Sequence, residues 1–116
     1  MKPEPRQFLP MSSAAFFILL ALAGEDLHGY GIIQQVTRQS AGHYKLGPGT
    51  LYDNLKKLMT LGLVAQAANH SSGEDSRRRY YRLTPLGRSV FAAEVKRLEG
   101  ALRQARAHLA VGPRRT

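Results

Sequence analysis

The sequence predicts a mainly α-helical chain with one small β-hairpin, and three observations carry that reading. Three helix signals follow one another between residues 12 and 62, separated only by short glycine-containing connections. Two alternating runs then flank a loop centred on Ser71-Ser72-Gly73. Thr84-Pro85 opens a last helix whose apolar residues repeat in heptads. The order helix, helix, helix, hairpin, long helix is that of a winged helix-turn-helix with an added C-terminal dimerisation helix.

Pro3, Pro5 and Pro10 keep the first residues out of a helix, so residues 1–11 are expected to form a loosely held, flexible arm. Ser12 and Ser13 can cap the next segment, in which Phe16, Phe17, Ile18, Leu19, Leu20 and Leu22 are apolar on nearly every side. Such a helix must be buried all round, which calls for a partner beyond one small core. Gly24 ends it. From His28 to Ser40, Tyr30, Ile33 and Val36 recur at helical spacing while Gln34, Gln35, Arg38 and Gln39 face away, giving an amphipathic helix that His28 caps or packs against. Gly47-Pro48-Gly49-Thr50 opens a third helix with Leu51, Leu55 and Leu58 inward, and Gly62 is its left-handed closing residue.

Leu63 to Ala68 reads as a strand, Asn69 to Ser76 as a polar loop, and Arg77 to Leu83 as a second strand in which Tyr81 and Leu83 alternate against Tyr80 and Arg82. Thr84 then caps a helix that runs to about Leu109. Within it Phe91, Val95, Leu98, Leu102, Ala105 and Leu109 step by four, three, four, three and four, a seam suited to a second copy of the chain. Phe16, Leu20, Phe91, Val95, Leu98, Leu102 and Leu109 are therefore the candidate homodimer contacts. The expected plan is an arm at 1–11, a winged helix-turn-helix domain at 12–84, a dimerisation helix at 85–110 and a basic tail at 111–116.

Composition narrows the function classes. With 116 residues, 43% of them hydrophobic, the chain can bury one core of its own. It has no cysteine, which excludes disulfides, thiolate zinc sites and a cysteine nucleophile. His28, His43, His70 and His108 are scattered without metal-ligand spacing, and no cofactor is expected. Gly47-Pro48-Gly49-Thr50 lacks the lysine and the glycine spacing of a phosphate loop, and no nucleophile motif is present, so an enzyme is not expected. The apolar run from Ala14 to Ala23 is ten residues, against roughly 20 for a membrane span. No membrane partner is expected, and the expected location is the cytoplasm, at the nucleoid.

Charge placement points to a polyanion. The net charge is +9, yet residues 1–44 are balanced. The excess begins at Lys45: residues 45–84 hold Lys45, Lys56, Lys57, Arg77, Arg78, Arg79 and Arg82 against Asp53, Glu74 and Asp75. With the leucines inward, the third helix presents Thr50, Tyr52, Asn54, Lys56 and Lys57, groups able to read base edges and grip phosphates. Arg77, Arg78 and Arg79 leave the hairpin loop side by side, and guanidinium forks suit phosphate oxygens. Double-stranded DNA is the expected partner. The alternative is a winged-helix protein-interaction module that binds an acidic surface. That module would show apolar anchors on the third helix, where this sequence has polar and cationic residues.

Three stretches in order carry a family resemblance: His28-Gly29-Tyr30-Gly31-Ile32-Ile33; Gly49-Thr50-Leu51-Tyr52-Asp53-Asn54-Leu55-Lys56-Lys57-Leu58 running into Gly62-Leu63-Val64; and Arg79-Tyr80-Tyr81-Arg82-Leu83-Thr84-Pro85-Leu86-Gly87. Over roughly residues 14–109 the sequence resembles the PadR family of transcriptional regulators. The resemblance implies a dimer built from N- and C-terminal helices on a palindromic operator, usually repressing, and often released by a small phenolic, hydrophobic or cationic effector. Phe16, Phe17 and Phe91 are the candidate effector contacts, with core or dimer packing as the competing role. Asp53 stands where proline is common in the family, and Met59-Thr60 replaces a frequent acidic pair. Both changes fall on the reading helix and bear on the operator sequence.

Overall fold

The computed structural model describes residues 3–67 and 79–111. Its elements are a 3-10 turn at Pro5–Phe8, helix α1 at Ser13–Gly24, strand β1 at Leu27–His28, helix α2 at Gly29–Gln39, helix α3 at Pro48–Thr60, strands β2 at Val64–Gln66 and β3 at Tyr80–Leu83, and helix α4 at Pro85–Ala110. This is the expected winged helix-turn-helix order. It has one strand more than expected, because Leu27 and His28 pair with Tyr81 and Tyr80 to make an antiparallel sheet ordered β1-β3-β2. Two residues carry no readable alternation, which is why β1 is silent in the sequence.

The hydrophobic core is centred on α1. Ile18, Leu19 and Leu22 are buried, and α2, α3, α4 and β3 all pack against this helix. The all-round apolar character of α1 is thus met largely within one subunit, and the expected need for an outside partner is reduced to its half-buried Phe16, Phe17 and Leu20. Ser12 caps α1 by accepting from the Ala15 amide at 3.1 Å.

In α2 the buried stripe is Gly29, Ile32 and Val36, and Tyr30 is exposed. This corrects the expected Tyr30–Ile33–Val36 face. Positions 29, 32 and 36 follow the three-four spacing of one helical face, whereas Tyr30 lies about 100° away from Gly29. Gly29 was the unmarked member because it has no apolar side chain to signal burial. His28 caps the helix, its Nδ1 accepting from the Gly31 amide at 3.1 Å. α3 buries Leu51, Leu55 and Leu58 as expected and begins with Pro48 in its first turn. It ends in a Schellman arrangement: Gly62, at φ +80°, donates to the Met59 carbonyl, and the Leu63 amide donates to the Leu58 carbonyl.

The N-terminal segment departs from the expected loose arm. Pro5–Phe8 forms a 3-10 turn closed by a reciprocal Glu4–Gln7 capping box, and Phe8, Leu9 and Met11 pack on the core. Proline at the first position of a short turn starts it rather than breaking it. The segment is pinned by Glu94, a buried carboxylate on α4 that accepts from the Met11 amide at 3.0 Å and from both arms of the Arg97 guanidinium. Those arginine bonds, with the Met11 amide, hold the carboxyl below the ordinary glutamate range against the opposing effect of burial.

Thr84 joins α3, the sheet and α4. Its hydroxyl donates to the Gly62 carbonyl at 2.6 Å and accepts from the Gly87 amide at 2.9 Å, while its own amide donates to the Leu63 carbonyl at 3.1 Å. Gly87 lies directly on the Leu63 carbonyl, with no room for a Cβ. Beyond this junction α4 leaves the body of the fold, and residues 101–111 are exposed along their whole length. Among the described residues no helix is long and apolar enough to cross a membrane, and no group of three acidic or histidine side chains could hold a metal ion.

Replacing Thr84 by valine removes both hydroxyl bonds while keeping the branched shape. The expected loss of stability is about 1–2 kcal/mol, read as a lowered midpoint in urea unfolding. An unchanged midpoint would mean that the junction is held by packing around Gly87 alone.

Candidate nucleic-acid interface

The third helix is aimed by its buried leucines, which leave Thr50, Tyr52, Asp53, Lys56, Lys57 and Thr60 exposed on the opposite side. Asp53, Lys56, Lys57, Thr60 and Leu61 line one shallow depression near its C-terminal end. Asn54 is half-buried, and its amide nitrogen donates back to the Thr50 carbonyl at 2.9 Å. Tyr52 is 51% exposed, yet its hydroxyl folds back onto Gly29 at the start of α2. The outward group predicted from the sequence therefore divides. Thr50, Lys56 and Lys57 project freely, while Asn54 and Tyr52 are turned partly toward the protein.

Lys45 is exposed in the connection between α2 and α3. That connection is anchored on either side of it. Leu46 is buried, and Tyr44 stacks on Phe17 with centroids 5.1 Å apart. The Tyr44 amide also donates to Ser40 Oγ at 3.0 Å. The backbone at Lys45 is thus anchored beside α3, and its exposed side chain starts from a fixed place.

Arg79 lies immediately before β3 and is exposed. Arg77 and Arg78, and the expected loop between the strands, lie outside the described residues. Lys45, Lys56, Lys57 and Arg79 make no ion pair with any other described residue; the described pair is Glu94 with Arg97, on the far helix. Among the described residues, four cations without an ion-pair partner, with Asp53 the acidic group beside Lys56 and Lys57, leave a net positive field here.

The seam residues of the last helix change character along its length. Phe91 and Val95 are half-buried, with the Phe91 ring 5.5 Å from that of Phe16, and Phe16 meets Phe17 edge-on at 5.6 Å. Leu98 is 37%, Leu102 49% and Leu109 78% exposed. Phe16, Phe17, Leu20, Phe91 and Val95 thus lie at the edge of the core, whereas Leu98, Leu102 and Leu109 are increasingly exposed toward the end of the helix.

Two buried residues have contacts that the sequence does not reveal. Glu94 reads as one acid among the charges of a solvated helix, and only its long-range contact with Met11 marks it. The alternation of Tyr81 and Leu83 against Tyr80 and Arg82 leaves open which pair faces inward; Tyr81 is buried, at 5% exposure. The position of its hydroxyl near Tyr52 and Arg79 depends on β1, the strand that the sequence did not reveal.

The comparisons with known proteins agree with one another. The transcriptional regulator PadR-like family matches residues 18–93. Transcriptional regulator Rv3488 of Mycobacterium tuberculosis is 33% identical over 87 residues, covering 75% of this chain and 77% of the relative. A PadR family transcription regulator from hypervirulent Clostridium difficile superposes with a TM-score of 0.63 at 28% identity, over 87% of this chain and 100% of that one. Bacillus subtilis PadR, solved in complex with operator DNA, shares the fold with a TM-score of 0.63 at 23% identity, over 74% of this chain and 48% of its own. From these matches and from the winged-helix architecture, the chain belongs to the PadR-like family of transcriptional regulators.

Proposed function

We propose that the chain is a sequence-specific DNA-binding transcriptional regulator that acts as a homodimer on a two-fold symmetric operator. The observation that carries this reading is the set of exposed cations on and around α3 that have no ion-pair partner among the described residues: Lys45, Lys56, Lys57 and Arg79. A helix edged by such cations fits the major groove, where phosphates supply the missing anions and base edges meet the polar side chains. Lys56 and Lys57 are assigned to phosphates. Thr50 is assigned to a base edge, and so is Asn54, which would exchange its bond to the Thr50 carbonyl for one to a base. Arg77 and Arg78 would extend the grip along the wing. The operator complex of Bacillus subtilis PadR supports this use of the shared fold.

The second copy is assigned to the exposed apolar seam of α4. Leu98, Leu102 and Leu109 are costly to leave in water, and their heptad spacing suits another helix. A two-fold dimer would set its two α3 helices about 34 Å apart, in successive major grooves. Repression is the mode that the family resemblance implies. Phe16, Phe17 and Phe91 already pack on one another, so a small hydrophobic or phenolic effector entering there would have to part these rings. Such a displacement would disturb the base of the dimer seam and release DNA.

Lys56→Ala and Lys57→Ala should each weaken binding at every duplex sequence and reduce the slope of log affinity against log salt by about one unit. Fluorescence anisotropy across a salt series reads this directly, and unchanged slopes would remove both residues from the phosphate contacts. The double replacement Leu98→Gln with Leu102→Gln should give a folded monomer in sedimentation velocity, since neither side chain belongs to the core. Persistence of a dimer would assign the contact to α1 instead.

A further inference from the structure

We propose that Tyr52, Tyr81 and Arg79 form a subsite for one backbone phosphate of the bound duplex, built from two phenolic hydroxyls and one guanidinium beside the start of α2. The proposal rests on the reading of the chain as a DNA-binding protein, and it moves Tyr52 from base reading to backbone contact. The register of the sheet brings the groups together. Leu27 pairs with Tyr81 and His28 with Tyr80, so Arg79, the residue before Tyr80, comes at the corner where β1 passes into α2. Arg79 stands two residues before Tyr81, just ahead of β3, and continued alternation would set both on the same side. Tyr52 reaches this corner from α3, its hydroxyl lying so close to Gly29 that a side chain there would have to displace the ring.

Tyr81 supplies the observation that points to a ligand. The residue is 5% exposed, and its hydroxyl makes no hydrogen bond with any described residue. No fully buried side-chain oxygen or nitrogen among those residues lacks a partner, so the Tyr81 hydroxyl is the part of the ring that reaches the surface. A polar tip held at the surface by a buried ring, with no partner among the described residues, is a donor open to an outside acceptor. Burial above all, and then the neighbouring Tyr52 phenol, push its ionisation above the ordinary tyrosine range, while Arg79 pulls the other way. The group therefore stays protonated at neutral pH and can donate. A phosphate oxygen there would accept from both phenols, meet the Arg79 charge, and face the positive end of the eleven-residue α2.

The test uses the intact chain and a labelled duplex carrying the sequence it selects. Tyr81→Phe and Tyr52→Phe keep the rings and remove the donors. Each should lower affinity on the order of tenfold without altering the salt slope, because a neutral hydroxyl displaces no counterion, whereas Arg79→Gln should reduce the slope by about one. A series of duplexes with one neutral methylphosphonate each should then reveal one position per half-site that weakens the parent protein and leaves Tyr81→Phe indifferent. Parent-like affinity in both phenylalanine variants, or the same methylphosphonate sensitivity in parent and Tyr81→Phe, would overturn the subsite while leaving DNA binding intact. A parent chain that binds no duplex would overturn the DNA-binding reading, and the subsite with it.

Discussion

The Thr84 hydroxyl is bonded in two directions at once, donating to the carbonyl that closes α3 and accepting from the first turn of α4. Its amide is bonded to Leu63 in the same place, and Gly87 lets the α4 backbone rest on the Leu63 carbonyl. One residue therefore fixes the angle between the surface assigned to DNA and the helix assigned to the second copy. In a dimeric regulator that angle would set the separation of the two reading helices, so a local hydrogen-bond constraint would determine which half-site spacing fits. Changes at the outer end of α4 could reach the surface assigned to DNA through this junction, through its contact with β3, or through α1.

The helix α1 provides the second route. It touches α2, α3, α4 and β3, and its aromatic residues continue the contact outward, Phe16 to Phe91 and Phe17 to Tyr44. Tyr44 in turn precedes the exposed Lys45. A chain of packed rings thus runs from the base of the apolar stripe on α4 to a cation beside α3. At the other edge, Glu94 draws the N-terminal segment onto α4 by spending its charge on Arg97 and the Met11 amide. A buried carboxylate so satisfied holds one arrangement of two segments that apolar contact alone would leave free to slide.

Much of this was legible in the sequence because the signals were local. The leucine spacing of α3, the Thr84-Pro85 start and the left-handed Gly62 each depend on neighbours within a few residues, and each appears where the spacing put it. The long-range features were not legible. β1 has two residues and exists only because β3 lies beside it. Gly29 is buried by the approach of Tyr52, a contact no periodicity encodes, and the apparent apolar phase of α2 was drawn to the exposed Tyr30 instead. The proline-rich N-terminus read as loose because the carboxylate that pins it lies 83 residues away. In the candidate site, the exposure of Lys45, Thr50, Lys56, Lys57 and Arg79 followed from the inward leucines and the charge distribution, whereas the backward turn of Asn54 and Tyr52 did not.

The central claim is that the cationic α3 surface, doubled by the α4 seam, recognises a two-fold DNA sequence. Selection of bound fragments from a random duplex pool at near-physiological salt, followed by sequencing, tests it most directly. The account predicts enrichment of one palindrome whose half-sites are centred about one helical turn, 10 to 10.5 base pairs, apart. Weak retention without sequence preference would contradict it, reduce the positive surface to a general attraction for polyanions, and favour an acidic protein surface as the partner of α3.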